Sequence, residues 1–115
     1  MATRSHIGYN DPETNQLVMQ YCHFDGHPKV IGKILLEHYK TIDKIKALVT
    51  GPAIRSISSK TGKIQRYTDQ EPHWSRYETV IEALIGVDYA YVWEDQRWRC
   101  YTHTYANSLI IELKI

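Results

Sequence analysis

A short stretch rich in titratable residues lies between a strand-like run and a predicted helix. It reads Tyr21-Cys22-His23-Phe24-Asp25-Gly26-His27-Pro28. Imidazole and carboxylate groups beside the unpaired amides of a helix start can hold an anion, bind a metal or transfer a proton. We therefore expect a binding site here, and the chain carries no catalytic signature around it.

Anion recognition is the interpretation that we favour for this stretch. Free backbone amides from Gly26 to Lys29 and the dipole of the following helix would attract phosphate. Arg4, His23, His27 and Lys29 would add charge, and an arginine grips phosphate through two parallel hydrogen bonds. Because a tyrosine or tryptophan can stack on an attached base, the residue types predict a nucleotide pocket.

Two other interpretations of the same residues stay open. His23 and Asp25, with His38 from the next helix, have the side chains of a zinc, iron or manganese site. In the structural alternative, Asp25 caps the helix, His23 is hydrogen-bonded within the sheet and His38 is a satisfied core residue. Nucleophilic catalysis is disfavoured, since Cys22 and His23 point to opposite faces of a strand.

Length and charge limit the classes of protein that the chain can belong to. Its 115 residues fit one domain. The net charge of +1 disfavours a dedicated nucleic-acid binder, although lysines and arginines are concentrated from residue 29 to residue 66. Cys22 and Cys100 stand in apolar runs and are expected to be buried thiols. Without a signal peptide or an apolar run near transmembrane length, we expect a cytoplasmic protein that makes no membrane contact.

Hydrophobic periodicity predicts strands at both ends and helices between them. We expect a first hairpin of two strands, 5–9 and 17–23. Three helices should follow, over 28–39, 41–49 and 75–85. A second hairpin of strands 88–93 and 97–103 and an edge strand 109–115 complete the prediction. The weakly patterned segment 53–72 is treated as a mobile insertion, a candidate lid, although residues 55–58 and 63–67 could pair across Thr61-Gly62. The predicted fold is α+β, an antiparallel sheet of two hairpins with two to three helices on one face.

The chain contains nine tyrosines and three tryptophans but only one phenylalanine. These polar-tipped aromatic residues suit interfaces and flat ligands. Alternation along the second hairpin places Tyr91 and Trp93 on one side of the sheet, with Trp98 on the partner strand. If that side is open, it would be a stacking platform or a protein interface.

Three motifs of this chain resemble a family of small tailed-bacteriophage proteins without an assigned activity. They are Thr3-Arg4-Ser5-His6-Ile7-Gly8, the central stretch 21–28, and Gly32-Lys33-Ile34-Leu35-Leu36-Glu37-His38-Tyr39. Related chains often have tryptophan at position 24 and tyrosine at position 27, so His27 departs from the pattern. The resemblance implies an accessory protein that acts in the infected bacterial cell.

The residues and the resemblance together lead to one expected function. Some phage proteins of unrelated families sequester nucleotide-derived immune signals, and we expect this chain to bind such a signal without turnover, as a homo-oligomer and without a cofactor. Its expected ligand-binding residues are Arg4, Ser5, Tyr21, His23, Asp25, Gly26, His27, Lys29, His38, Tyr91, Trp93 and Trp98. The alternatives are an inhibitor that binds a host protein through the aromatic hairpin and a metal-dependent phosphodiesterase or nuclease using His23, Asp25 and His38.

Overall fold

The computed structural model describes residues 2–68, 71–103 and 110–115. These residues form a mixed α/β fold in which a single sheet is accompanied by three short α-helices. The strands are β1 Ser5–Asp11, β2 Gln16–Cys22, β3 Ile54–Ile57, β4 Ile64–Arg66, β5 Trp74–Tyr77, β6 Tyr89–Glu94, β7 Arg97–His103 and β8 Ile110–Leu113. In the described residues no helix is long and apolar enough to span a membrane.

The first two predicted helices are confirmed, with a change of geometry in one of them. Pro28–Gly32 is a π-helical stretch that continues into α1, Lys33–His38. The second helix, α2, covers Ile42–Val49, and its start is capped by the Thr41 side chain, which accepts a hydrogen bond from the Lys44 amide. Pro28 at the start and Thr41 as a cap are local signals, which is why the sequence located both helices.

The sheet is mixed rather than antiparallel as predicted. β1 pairs antiparallel with β2, but it pairs in parallel with β6 on its other side, and β2 meets β3 in parallel at Cys22 and Ile54. The strand order is β4-β3-β2-β1-β6-β7-β8, and β5 pairs with β2 from outside that path. The parallel β1–β6 pair joins the N-terminal hairpin to the C-terminal hairpin. No local sequence pattern predicts this contact.

Both faces of the sheet carry helical structure, which corrects the prediction of helices on one face. The α1 and α2 helices cover a large core that includes Ile7, Tyr91 and Trp98. A smaller core on the opposite face includes Met19 and Val92, and the third helix packs there through buried Ala83 and Leu84. The face that was expected to be open is therefore partly covered.

The predicted helix over 75–85 is wrong in its first half. Residues Trp74–Tyr77 form β5, which pairs with Leu17–Gln20 of β2, and only Val80–Ala83 is helical, as α3. The cap is Thr79, whose hydroxyl accepts from the Glu82 amide. Ser75 and Glu78 have the same capping-box spacing as Thr79 and Glu82, which is why the sequence pattern starts this helix four residues too early.

The segment 53–72, expected to be a mobile insertion, contributes β3 and β4 to the sheet, and the pairing considered across Thr61-Gly62 is confirmed. Ile54 is fully buried in the large core. The Tyr39 hydroxyl donates to the Gly62 carbonyl at the turn, and the Arg66 guanidinium donates to the carbonyls of Ala47, Leu48 and Pro52. These bonds tie the described part of the segment to α1 and α2, so it is part of the folded core rather than a separate lid.

Candidate functional site

A continuous row of aromatic and imidazole rings crosses the sheet on the side that carries α3. We call it the ring row, and its members, in spatial order, are Tyr77, His6, Tyr21, His23 and Tyr67, with Phe24 packed beside His23. Ring centroids are 5.5 Å apart for Tyr77 and His6, 6.1 Å for His6 and Tyr21, 5.9 Å for Tyr21 and His23, and 6.1 Å for His23 and Tyr67. Phe24 stands edge-on to His23 at 4.5 Å. Except for the buried His6, all of these residues are partly or fully open to solvent.

Strand pairing positions the ring row. His6 of β1 lies directly opposite Tyr21 of β2, and Tyr77 comes from β5 on the far side of β2. His23 and Phe24 follow β2 and continue alongside β3, because their amides donate to the carbonyls of Ile54 and Arg55. The site is therefore assembled on the backbone ladder of the sheet, which gives it a rigid base.

The Tyr21 hydroxyl and His23 Nδ1 are 2.7 Å apart and share a hydrogen bond. Burial raises the pKa of Tyr21 above its usual value, so the hydroxyl keeps its proton at neutral pH. With the phenol able to donate to Nδ1, the other ring nitrogen of His23 remains for a ligand. This pair offers hydrogen bonding in the middle of the ring row.

His6 is the most constrained member of the ring row. Its Nδ1 lies 2.5 Å from the carbonyl oxygen of Ala83 in α3. A carbonyl can only accept, so Nδ1 carries the proton. Burial lowers the pKa of His6 below its ordinary value, and His73 lowers it further, whereas the bond to Ala83 acts in the opposite direction. The ring is therefore neutral at neutral pH, with its proton on Nδ1.

Two arginines flank the ring row. Arg4 lies close enough to Tyr21 to lower the pKa of its hydroxyl, although burial outweighs this effect. The Arg55 guanidinium lies 5.8 Å from the centre of the Phe24 ring. Neither guanidinium forms an ion pair within the described ranges. Two available cations beside a row of rings can hold the anionic groups of a stacked ligand.

The helix start, where we expected phosphate to bind, has few amides to offer. The Gly26 amide donates to the Thr3 carbonyl, and the Lys29 amide to Nδ1 of His27. The amides of Val30 and Ile31 both reach the His27 carbonyl, and Pro28 has none. The prediction of an amide cradle at this start is thus wrong for Gly26 and Lys29, because His27 acts as the helix cap.

The structure separates the three residues of the alternative metal site. In the described part of the chain, no three histidine, cysteine, aspartate or glutamate side chains come together to hold a metal ion. Asp25 lines a groove of about 610 Å³ along β3 and β4, and His38 lines a different one of about 300 Å³ beside α2. The set His23, Asp25 and His38 is therefore not a metal centre in this fold.

Four further predicted site residues lie on the other side of the sheet. Ser5 and Tyr91 are completely buried, Trp98 is 6 % exposed, and Trp93 is partly exposed with its ring against Trp98. The Tyr91 hydroxyl donates to the Gly26 carbonyl, and the Trp98 indole N–H to the Tyr39 carbonyl. Because α1 and α2 cover this side, Tyr91 and Trp98 are core residues and cannot stack on a base or a partner.

The two cysteines are buried and unpaired. Burial raises the pKa of Cys22 to about 12 and that of Cys100 to about 11. Both thiols are protonated at neutral pH, so neither offers a thiolate for nucleophilic chemistry.

The ring row and the two arginines beside it include three of the predicted ligand residues, Arg4, Tyr21 and His23. They also include residues that the sequence analysis did not assign to the site, namely His6, Phe24, Arg55, Tyr67 and Tyr77. The position of His6 could have been predicted from the register of the first hairpin. If the turn comprises Pro12–Asn15, Asp11 pairs with Gln16, and counting outward along both strands pairs His6 with Tyr21. Tyr67 and Tyr77 join through long-range pairing, which no local sequence pattern indicates.

Comparison with protein-family models, with curated proteins and with solved structures finds no match for this chain.

Proposed function

We propose that this protein binds a phosphate-bearing nucleotide derivative on the ring row and holds it without turnover. The observation that carries the proposal is the continuous row of rings, open to solvent except at His6, with the two guanidinium groups of Arg4 and Arg55 beside it. Aromatic faces stack on a base, and arginines hold phosphate by charge-assisted hydrogen bonds. The proposal places the ligand on the α3 side of the sheet instead of at the helix start.

Binding without turnover is favoured by the chemistry of the residues. A hydrolytic or transfer reaction needs a nucleophile, a metal or a pair of acid and base groups in reach of one another. Cys22 is a buried, protonated thiol, and the described residues assemble no metal centre. In the part of the chain that the structure describes, neither histidine of the ring row bonds to a carboxylate: His23 bonds to the Tyr21 hydroxyl and His6 to the Ala83 carbonyl.

In the setting that the phage resemblance implies, the ligand would be an immune signal of the infected bacterium, and the protein a cytoplasmic anti-defence factor. Homo-oligomerisation is part of this proposal, since a second subunit could close the exposed side of the ring row. The alternative of a host-protein inhibitor has less support, because two of the three aromatic residues assigned to its surface, Tyr91 and Trp98, are buried.

The test is isothermal titration with ADP-ribose and with cyclic di-AMP as probes. We expect one of them to bind, and Arg55→Gln to weaken that binding about tenfold or more, because a hydrogen bond to a charged group is lost. Arg97→Gln is the matched control, since Arg97 is an exposed arginine of β7 outside the ring row. Failure of both probes to bind the wild-type protein would overturn the proposal.

A second readout separates a binder from an enzyme. The complex is heated, the precipitate removed and the released compound identified by mass spectrometry. Recovery of the probe with unchanged mass supports sequestration, whereas a hydrolysed product would assign the protein to an enzymatic class. Native mass spectrometry of the same sample reads the number of subunits.

A further inference from the structure

The ring row contains one hydrogen-bonding atom whose role is fixed by the fold. His6 donates through Nδ1 to the Ala83 carbonyl, and a neutral imidazole carries a single proton. Its other nitrogen, Nε2, therefore has a lone pair and no proton. Among the described residues Nε2 makes no hydrogen bond, and it is not one of the buried atoms that lack a partner. Nε2 is consequently the ring nitrogen that is left to accept a hydrogen bond from a ligand.

The position of this nitrogen suits the recognition of a base. The His6 ring lies between Tyr21, which stands nearly edge-on with an interplanar angle of 69°, and Tyr77, which is tilted by 35°. A base stacked on one of these tyrosines would bring an edge close to His6. A pure acceptor at that edge favours an exocyclic amine and disfavours a carbonyl, since two acceptors facing each other repel and leave both unsatisfied.

We infer that His6 makes the ring row selective for nucleotides whose base places an amino group opposite Nε2, as the 6-amino group of adenine can, over bases that place a carbonyl or no polar group there. This inference rests on the proposed function, because it assigns the base specificity of the same site. His6 thereby acts as a specificity-determining residue, and Ala83 acts through it by fixing the tautomer.

The experiment compares two ligands that differ at one group. Adenosine 5′-monophosphate and purine riboside 5′-monophosphate share the ring system, ribose and phosphate, and only the first has the 6-amino group. We expect the wild-type protein to bind adenosine 5′-monophosphate about tenfold more tightly, the usual effect of one hydrogen bond in a desolvated site. Equal affinities would overturn the inference and leave the proposed function standing. Absence of binding by both would overturn the inference, and titration with ADP-ribose and cyclic di-AMP then decides separately whether the proposed function stands.

Substitutions at position 6 locate the effect. His6→Asn can keep the donor to the Ala83 carbonyl and has no acceptor at the position of Nε2. We therefore expect this variant to bind adenosine 5′-monophosphate and purine riboside 5′-monophosphate with about equal affinity. Its affinity for purine riboside 5′-monophosphate should stay that of the wild type. His6→Gln can put an amide oxygen near the position of Nε2 and should keep part of the preference. Retention of the full preference by His6→Asn would contradict the role of His6. Thermal unfolding of each variant establishes that it is folded. If a variant does not fold, the comparison of the two ligands in the wild-type protein tests the inference alone.

Discussion

At the scale of single residues, His6 connects the stability of the fold with the candidate site. Its imidazole is neutral in the folded protein and touches the Ala83 carbonyl, Tyr21 and Tyr77, and the imidazole of His73 lies near enough to act on its pKa. A proton added to this ring would be held in a poorly solvated place next to a second imidazole. Protonation therefore opposes folding.

The pH dependence follows from that environment. The folded pKa of His6 lies below its ordinary value of 6.5, so the unfolded chain binds more protons as the pH falls through and below 6.5. The free energy of unfolding should decrease over that range, by up to about 1.4 kcal/mol for each unit that separates the two pKa values. Urea unfolding between pH 7.5 and pH 5 measures it. His6→Asn should flatten the slope, and an unchanged slope in this variant would assign the effect to other groups.

The residue scale also shows what the sequence could predict of the site. Tyr21 and His23 were identified because they are titratable or aromatic and stand at a strand end. Tyr91 and Trp98 have the same chemical types, and alternation placed Tyr91 and Trp93 on one side as expected, but types and alternation do not tell which side the helices cover. Burial by α1 and α2 decided this, and it is a tertiary event.

At the scale of elements, the β3–β4 pair and α2 support each other through Arg66. The guanidinium donates to the Leu48 carbonyl at 2.8 Å, the Ala47 carbonyl at 3.0 Å and the Pro52 carbonyl at 2.7 Å. Two of these oxygens belong to the last turn of α2, where carbonyls have no partner within the helix. Arg66 is thus a side-chain cap for the helix end, donated by a strand.

Replacing Arg66 should loosen this junction. For Arg66→Met we expect a loss of about 1–2 kcal/mol in the free energy of unfolding, because the carbonyls lose charge-assisted donors at a partly buried site. Arg97→Met on exposed β7 is the control and should stay within about 0.5 kcal/mol of the wild type. Equal stabilities of the two variants in urea unfolding would show that the cap contributes nothing.

Elements with local signals were predictable and elements that depend on remote partners were not. Pro28, Thr41 and the turn Pro12–Asn15 mark starts and stops within a few residues of themselves. β5 has no such signal: Trp74–Tyr77 reads equally well as the beginning of a helix, and it is a strand because β2 offers Leu17–Gln20 as a partner. The preference of a short segment was overruled by pairing, as is common for weakly periodic sequences.

At the scale of the whole molecule, the sheet separates the large core from the side that carries the ring row. The large core under α1 and α2 holds Tyr91, whose hydroxyl donates to the Gly26 carbonyl at 2.6 Å and so ties β6 to the loop before the helix. The ring row lies on the opposite side. A change in the large core should therefore alter stability and leave ligand binding intact.

Tyr91→Phe tests this separation. Removing the hydroxyl leaves the Gly26 carbonyl without its buried donor, and we expect the free energy of unfolding to fall by about 1–3 kcal/mol. The affinity for the nucleotide probe should stay within about twofold of the wild type. If Tyr91→Phe weakened binding tenfold while the protein remained folded, Tyr91 would belong to the site as the sequence first suggested.

The measurement that tests the ring row most directly is a map of backbone amide chemical shifts in the ¹⁵N-labelled protein as ADP-ribose is added. A ligand stacked on these rings should shift the amides of β1, of β2 and of His23, Phe24, Arg55 and Tyr67, because ring currents and phosphate charge act over a few ångströms. The amides of α2 and of Trp98 should remain unchanged. Shifts confined to His27 through Lys33, or a spectrum that does not respond at all, would contradict a nucleotide site on the ring row.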